Sequence, residues 1–394
     1  MKYDYLIVGA GVIGLTIALE LKKRKPNLSI AILEKERDVA KHASGRNSGV
    51  LHAGFYYTDD SLKAKFTADG NRKMKLFCKE HSIKVNECKK VVIAKNREEL
   101  DGIDELYRRG VANGVEVEII SEEELKKLEP NAKTYQRALL SPSTASINPI
   151  DVMLKMKELL LSLDVKIFFN RKYLKHKKDT VFTNVENFNY SYLINSAGLY
   201  ADKIAHDFNI AKNYTLLPFK GLYLEYKGDK KLLNMHIYPV PDLQNPFLGV
   251  HFTKTVDGLL KIGPTSMPAF WRENYKGFKN FSFKEFFEVL FRMGKLFILN
   301  SFGFRKLAIH EMRKYKPHFM INESKTLVNN VEDNFIPKEA GIRAQLLDKS
   351  DNSLVMDFKT EQTENSLHVL NAVSPALTCS LSFAEYICDI LENR

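Results

Sequence analysis

Three glycines and one acid carry the first chemical signal. Gly9, Gly11 and Gly14 form a G-x-G-x-x-G run, and Glu34 follows about twenty residues later. The first glycine of such a run permits a tight turn, the second lets the backbone approach a pyrophosphate, and the third lets a helix pack on a strand. The first helical amides then face the anion, and the acid accepts hydrogen bonds from ribose hydroxyls. A second group is the loop over 44–57, S-G-R-N-S-G-V-L-H-A-G-F-Y-Y. Ser44, Asn47, Ser48 and Gly49 combine small size with hydrogen-bonding capacity, which suits a flat ring held near the backbone. His52 lies in this loop, and His251 lies in a strand-like G-V-H-F-T stretch. Histidine has the ordinary pKa that suits a general base near neutrality.

These residues need elements to position them. The apolar run over 5–8 reads as a buried strand, and 15–25 has helical spacing with Lys22, Lys23 and Lys25 near its end, where cations suit the helix dipole. A second buried strand over 29–33 ends at Glu34. Strand, glycine turn, helix, strand and acid, in that order, make a dinucleotide-binding βαβ unit. Its place at the start of the chain, with a later strand end at Asn195-Ser196-Ala197-Gly198, favours FAD over NAD, and that strand end resembles the A-x-G turn that many flavoproteins place beside the adenine diphosphate, which would put Ala197 and Gly198 there.

Further helices are expected over 61–81, 98–113, 121–128, 149–163 and 382–391. Ser121 is a capping candidate before Glu124, and Pro149 suits a first helical position. Strands are expected over 89–94, 165–169 and 192–195, with several more over 216–263. Strict alternation puts His251 on one face with Gly249 and Thr253, opposite Val250 and Phe252. The fold class is therefore α/β: a Rossmann-like FAD-binding domain over 1–80, 141–212 and 338–394, with an inserted antiparallel β-sheet substrate domain over 81–140 and 213–337.

Blocks in order along nearly the whole chain carry a family likeness. They are the 44–57 loop, Lys220-Gly221-Leu222-Tyr223, Tyr238-Pro239-Val240-Pro241-Asp242, and Pro246-Phe247-Leu248-Gly249-Val250-His251-Phe252-Thr253. They continue with Gly263-Pro264, Arg272-Glu273-Asn274-Tyr275, Gly341-Ile342-Arg343-Ala344-Gln345 and Asn371-Ala372-Val373-Ser374-Pro375-Ala376. The set resembles the L-2-hydroxyglutarate oxidase/dehydrogenase family, within the wider D-amino-acid oxidase-like flavoproteins. Departures are Arg46 where the family often has His, Val373 where it often has Pro, and Ser266 in place of a small apolar residue.

The resemblance implies oxidation of L-2-hydroxyglutarate to 2-oxoglutarate, with FAD taking the hydride and quinone or oxygen taking the electrons. It implies His251 as base or substrate ligand and His52 as support of the flavin loop or of the active site, both among the catalytic residues with Arg343. Arg343 becomes a carboxylate clamp, since guanidinium grips carboxylate in a bidentate way. Lys220 serves the second carboxylate or sits near the flavin, and Tyr223 and Tyr238 hydrogen-bond substrate or pack in the core. Ser374, Pro375 and Ala376 precede a final helix whose first amides face the flavin.

The chain's 394 residues carry 59 Lys plus Arg against 48 Asp plus Glu, a net +11. That excess permits nucleic acid, a membrane surface or an anionic substrate as partner. The Lys residues are dispersed, without the basic and aromatic clustering of a nucleic-acid reader, so no nucleic acid is expected. The four cysteines form no C-x-x-C pair, and no metal site is expected. No signal-like opening or membrane-spanning run is read, which points to the cytoplasm. The Phe-rich, basic stretch over 281–304 reads either as a helical hairpin packed on the β domain or as a peripheral contact with the inner face of the cell membrane, where reduced flavin would meet quinone. Two other functions compete: an amine or amino-acid oxidase of the same superfold, and a flavin-containing RNA-binding protein.

Overall fold

A computed structural model describes residues 2–242 and 248–393. The motif residues Pro246 and Phe247 lie outside the described residues. Two units emerge: unit 1 comprises Met1–Asn47, Pro149–Pro218 and Ile342–Arg394, and unit 2 comprises Ser48–Asn148 and Phe219–Gly341.

In unit 1 the apolar N-terminal run forms strand Lys2–Val8, at the centre of a sheet. It pairs in parallel with Asn187–Asn195 on one side and Ile30–Leu33 on the other. Helix Val12–Arg24 follows the glycine turn and ends in Lys22, Lys23 and Arg24, cations that suit its C-terminal dipole. Arg24 bridges to Asp389 and Glu392 at 2.8 and 2.9 Å, which ties this helix to the last one, Ala376–Glu392. That last helix starts six residues before the expected 382. Leu377, Cys379, Phe383, Ala384, Ile387 and Leu391 are buried along it, so apolar periodicity carries the helix back to the proline.

Unit 2 is built on a twisted sheet in the order Phe335–Pro337, Leu224–Tyr226, Leu260–Gly263, His251–Lys254, His236–Pro239, Lys90–Ile93, Arg137–Ser141, Glu118–Ser121. The expectation of an antiparallel sheet needs one correction: His236–Pro239 runs parallel to Lys90–Ile93. The two strands come from the two separate segments of this unit, so no hairpin dictates their direction. A small sheet joins Val50–Leu51, Ala145–Ile147 and Val85–Asn86.

The break after residue 47 falls earlier than the expected 80. Helix Leu62–Glu80 belongs to unit 2 because its Asn71 side chain donates to the carbonyls of Leu51, His52 and Ser143 at 3.1, 3.1 and 3.2 Å. Ser121 does cap helix Glu122–Leu128, in a reciprocal box with Glu124. The cysteines Cys78, Cys88, Cys379 and Cys388 are free and buried.

The 281–304 stretch forms helix Phe283–Leu299, a left-handed cap at Asn300, and then helix Phe304–Arg313. Val289, Met293 and Leu296 are buried on the first helix. Its other face leaves Phe283, Phe287, Phe291 and Ile298 in solvent, with Ile298 75% exposed. Among the described residues no helix is long and apolar enough to cross a membrane.

Candidate functional site

Unit 1 places the glycine run between its first strand and first helix. Gly9 has φ +106, and a Cβ there would lie 2.6 Å from the Ser196 carbonyl oxygen. A Cβ on Gly14 would lie 2.1 Å from the Gly9 carbonyl oxygen. Neither position tolerates a side chain. The Ser196 hydroxyl donates to the Val8 and Gly9 carbonyls, both at 3.1 Å, so the turn at Ala197 and Gly198 is held against the glycine turn. Gly198 adopts φ +53, a conformation that favours glycine.

Glu34 braces the same turn. Its Oε2 accepts the Ala10 N–H at 2.9 Å, and its Oε1 accepts the Glu36 N–H at 2.9 Å. Each oxygen keeps a further lone pair, so the acid can still accept from hydroxyls. Ser44 has a role that local spacing hides: its Oγ accepts the Val12 N–H at 2.9 Å and caps the first helix from 32 residues away. Gly11 permits this approach, since a Cβ there would lie 3.3 Å from that oxygen. Asn47 donates to the Ala43 and Ser44 carbonyls at 3.0 and 2.8 Å and shapes the loop. The last helix has Pro375 at its cap position, Ala376 as its first residue and no acid in its first turn, so it too presents amides to an anion. Arg343 is half-buried in strand Gly341–Asp348. A cradle closed to side chains, a bracing acid and helix amides fit a dinucleotide cofactor.

In unit 2, Ser48 Oγ accepts the Val50 N–H at 3.4 Å, and Gly49 has φ +77. The segment from His52 to Tyr57 is pinned from three sides. Asn71 holds the His52 carbonyl, Arg109 donates to the Tyr56 carbonyl at 2.9 Å, and Asn113 donates to those of Gly54 and Tyr57 at 3.0 Å.

The sheet register then builds a polar layer opposite this segment. Lys90 faces Ser141 and His236 across its two strand neighbours, and Val92 likewise faces Leu139 and Tyr238. Pairing of Ile237 with Phe252 sets His236 beside Thr253 and Tyr238 beside His251. Lys90, His236, Tyr238, His251 and Thr253 therefore share one face and are buried. Tyr238 stacks on His251 with ring centroids 3.7 Å apart.

Hydrogen bonds fix the histidine tautomers. His251 Nδ1 lies 2.8 Å from the Gly249 carbonyl, which can only accept, so Nδ1 carries the proton and Nε2 keeps its lone pair. His236 is the reverse: Nδ1 accepts the Lys254 N–H at 3.0 Å, and Nε2–H points to Cys88 Sγ at 3.2 Å. Burial first, and then the charge of Lys90, hold His52 and His236 well below the usual histidine range. Burial also pushes the amine of Lys220 down. Tyr223 is half-buried.

Sequence reasoning missed Lys90. Its Nζ sits 4.4 Å from the Tyr238 ring centroid, 5.0 Å from Tyr56 and 5.3 Å from Phe55. Burial pushes its amine down to about 7. The signal was in the run K-V-V-I-A, where Lys90 shares a face with Val92 and Ala94 inside a strand.

Comparison with known proteins completes the picture. A family model described as FAD dependent oxidoreductase matches residues 4–390. An L-2-hydroxyglutarate dehydrogenase of Indibacter alkaliphilus is 35% identical over 99% of this chain and 98% of its own. The L-2-hydroxyglutarate dehydrogenase of Escherichia coli K12 is 33% identical over 98% and 92%, and the human mitochondrial one 34% over 100% and 89%. Among solved structures, an L-alpha-glycerophosphate oxidase from Mycoplasma pneumoniae with FAD bound aligns with TM-score 0.76 at 24% identity, covering 100% of this chain and 95% of that one. Glycine oxidase from Geobacillus kaustophilus aligns with TM-score 0.75 at 17% identity, covering 100% and 95%.

Proposed function

The chain belongs to the family of FAD dependent oxidoreductases, and from that premise we propose that it oxidises L-2-hydroxyglutarate to 2-oxoglutarate. The names of its curated relatives support this substrate. The observation that carries the chemistry is the His251 tautomer: Nδ1–H donates to the Gly249 carbonyl, which makes Nε2 the basic nitrogen of the ring.

Bound FAD supplies the hydride acceptor. Gly9, Gly11, Gly14, Glu34, Ala197 and Gly198 would hold its dinucleotide part. Ser44, Asn47, Ser48 and Gly49 would hold it through the loop they shape, and the helix that Ser374, Pro375 and Ala376 open would offer it backbone amides. His251 Nε2 removes the α-hydroxyl proton as the Cα–H bond breaks, and stacked Tyr238 keeps the imidazole in plane. His52 supports the loop as a neutral residue. Arg343 grips one carboxylate through both guanidinium nitrogens, and Tyr223 donates a hydrogen bond to substrate. Lys220, buried in strand Tyr214–Gly221, remains a candidate for a substrate carboxylate or for a place near the flavin.

Anaerobic bleaching of the flavin by a panel of L- and D-2-hydroxyacids tests the reading. Bleaching by L-2-hydroxyglutarate, with 2-oxoglutarate formed and no ammonia, is the expected result. Bleaching by glutamate with ammonia release would establish the amine-oxidase alternative instead.

A second proposal concerns the electrons. The exposed Phe283, Phe287, Phe291 and Ile298 lie beside the cations Lys284, Arg305 and Lys306, the composition of a surface that enters an anionic lipid headgroup layer. A peripheral membrane contact of this kind would deliver electrons to a quinone. The holoenzyme should pellet with phosphatidylglycerol vesicles at low salt and release at high salt. Absence of pelleting at low salt would sink the proposal.

A further inference from the structure

We propose that Lys90 and Tyr56 form a carboxylate-binding subsite, one that receives the distal carboxylate of the dicarboxylic substrate; this rests on the substrate assigned above. Lys90 is 0% exposed, and among the described residues its Nζ has no hydrogen-bond partner. The same holds for the Tyr56 hydroxyl and for Thr253 Oγ1, on the same side of the sheet. Buried donors are nearly always paired, and a buried ammonium is costly unless it meets an anion or sheds its proton. Three aromatic rings surround this ammonium, and they cannot neutralise it as a carboxylate would.

Among the described residues, the groups facing Lys90 include no acid to answer it. Its own face offers Ser141, His236, Thr253, Tyr238 and His251, and the segment opposite offers His52, Phe55 and Tyr56. Cys88 lies beside His236, and burial raises its thiol. Lys254 commits its amine to the Leu233 carbonyl at 2.6 Å. Further along the sheet comes Lys261, then Glu225, whose carboxylate already pairs with Lys227 and Lys338. Glu129 accepts from the Asn234 and Met235 amides. The layer therefore holds donors and a cation in excess, which is the donor set of an anion receptor. Tyr56 stays a donor, because burial raises its phenol well above the usual range.

A thermodynamic signature follows. The amine, held to about 7 by burial, is mostly neutral at mildly alkaline pH, and an arriving carboxylate draws a proton onto it. The probe is glutarate, a dicarboxylate without the reactive hydroxyl, with butyrate as the monocarboxylate control. Calorimetry on the FAD-loaded enzyme at mildly alkaline pH, in buffers of different ionisation heat, should record uptake of about one proton with glutarate and none with butyrate. Lys90→Met should abolish that uptake and weaken glutarate about 10- to 100-fold, with butyrate unchanged. Tyr56→Phe, which keeps the ring, should weaken glutarate by a smaller factor and serves if Lys90→Met does not fold.

Glutarate binding to wild type without proton uptake would overturn the proposal. So would undiminished glutarate affinity in both variants, or loss of the glutarate preference in Lys220→Met instead. The binding assay needs no turnover, so failure to oxidise L-2-hydroxyglutarate would strike the assigned reaction separately.

Discussion

The two faces of the unit 2 sheet are made by the same strands and do opposite things. Val91, Ile93, Leu140, Ile237, Phe252 and Ile262 point one way and join an apolar core cluster. Lys90, Ser141, His236, Tyr238, His251 and Thr253 point the other way into an equally buried layer that is polar. Burial is therefore not what separates core from site here. The difference lies in whether buried groups satisfy one another. The apolar face is complete in itself, whereas the polar face holds, among the described residues, a buried Lys90 ammonium with no hydrogen-bond partner.

Breaking each face should have a distinct signature. Phe252→Ala should cost about 3–5 kcal/mol of stability, read by denaturant unfolding, while kcat per folded molecule holds. Its neighbour His251→Ala should lower kcat/KM about 10²- to 10⁴-fold with little loss of stability. Equal effects of the two on both measurements would erase the distinction between the faces.

Acid should weaken the polar face of this sheet and leave its apolar face untouched. His52 and His236 are kept neutral in the fold, so below pH 6.5 the unfolded chain binds more protons than the native one, and stability falls as pH drops through that range. Each contributes a slope of up to about 1.4 kcal/mol per pH unit. His368, held to about 3 by burial in unit 1, adds a third. His236→Gln should flatten the fall in Tm between pH 6.5 and 5 by roughly one group's share. The smallest expected effect lies at the sheet's edge: Ser121→Ala removes the helix cap and should cost about 1 kcal/mol, without touching turnover.

Local rules made part of this legible. The glycine run, its strand and its helix follow from short-range sterics, and Ser121 with Glu124 is a four-residue pattern. The facing of His251 opposite Phe252 follows from strand alternation over three residues. What was hidden depends on distant partners. The capping role of Ser44 is hidden because nothing nearby in sequence shows that it serves a helix start 32 residues earlier. Lys90, beside Lys89 at a strand start, reads as a solvated end until the parallel pairing sets it against His236. The early boundary after 47 rests on Asn71 reaching back to Leu51 and His52. Arg343 and Lys220 stood out only through resemblance, since isolated cations in strands have no local signature.

The order of the unit 1 sheet sets a timetable for synthesis. Strand Lys2–Val8 leaves the ribosome before the other strands of its sheet, yet one of its two neighbours, Asn187–Asn195, is made nearly two hundred residues later. At about 5–20 residues per second the wait is roughly 10 to 40 s. Closure of the layer by Ala376–Glu392, with its bridges to Arg24, comes later still. The nascent chain thus carries an open, apolar strand edge until Asn187–Asn195 emerges, and a chaperone that covers this edge should raise the yield of folded chain.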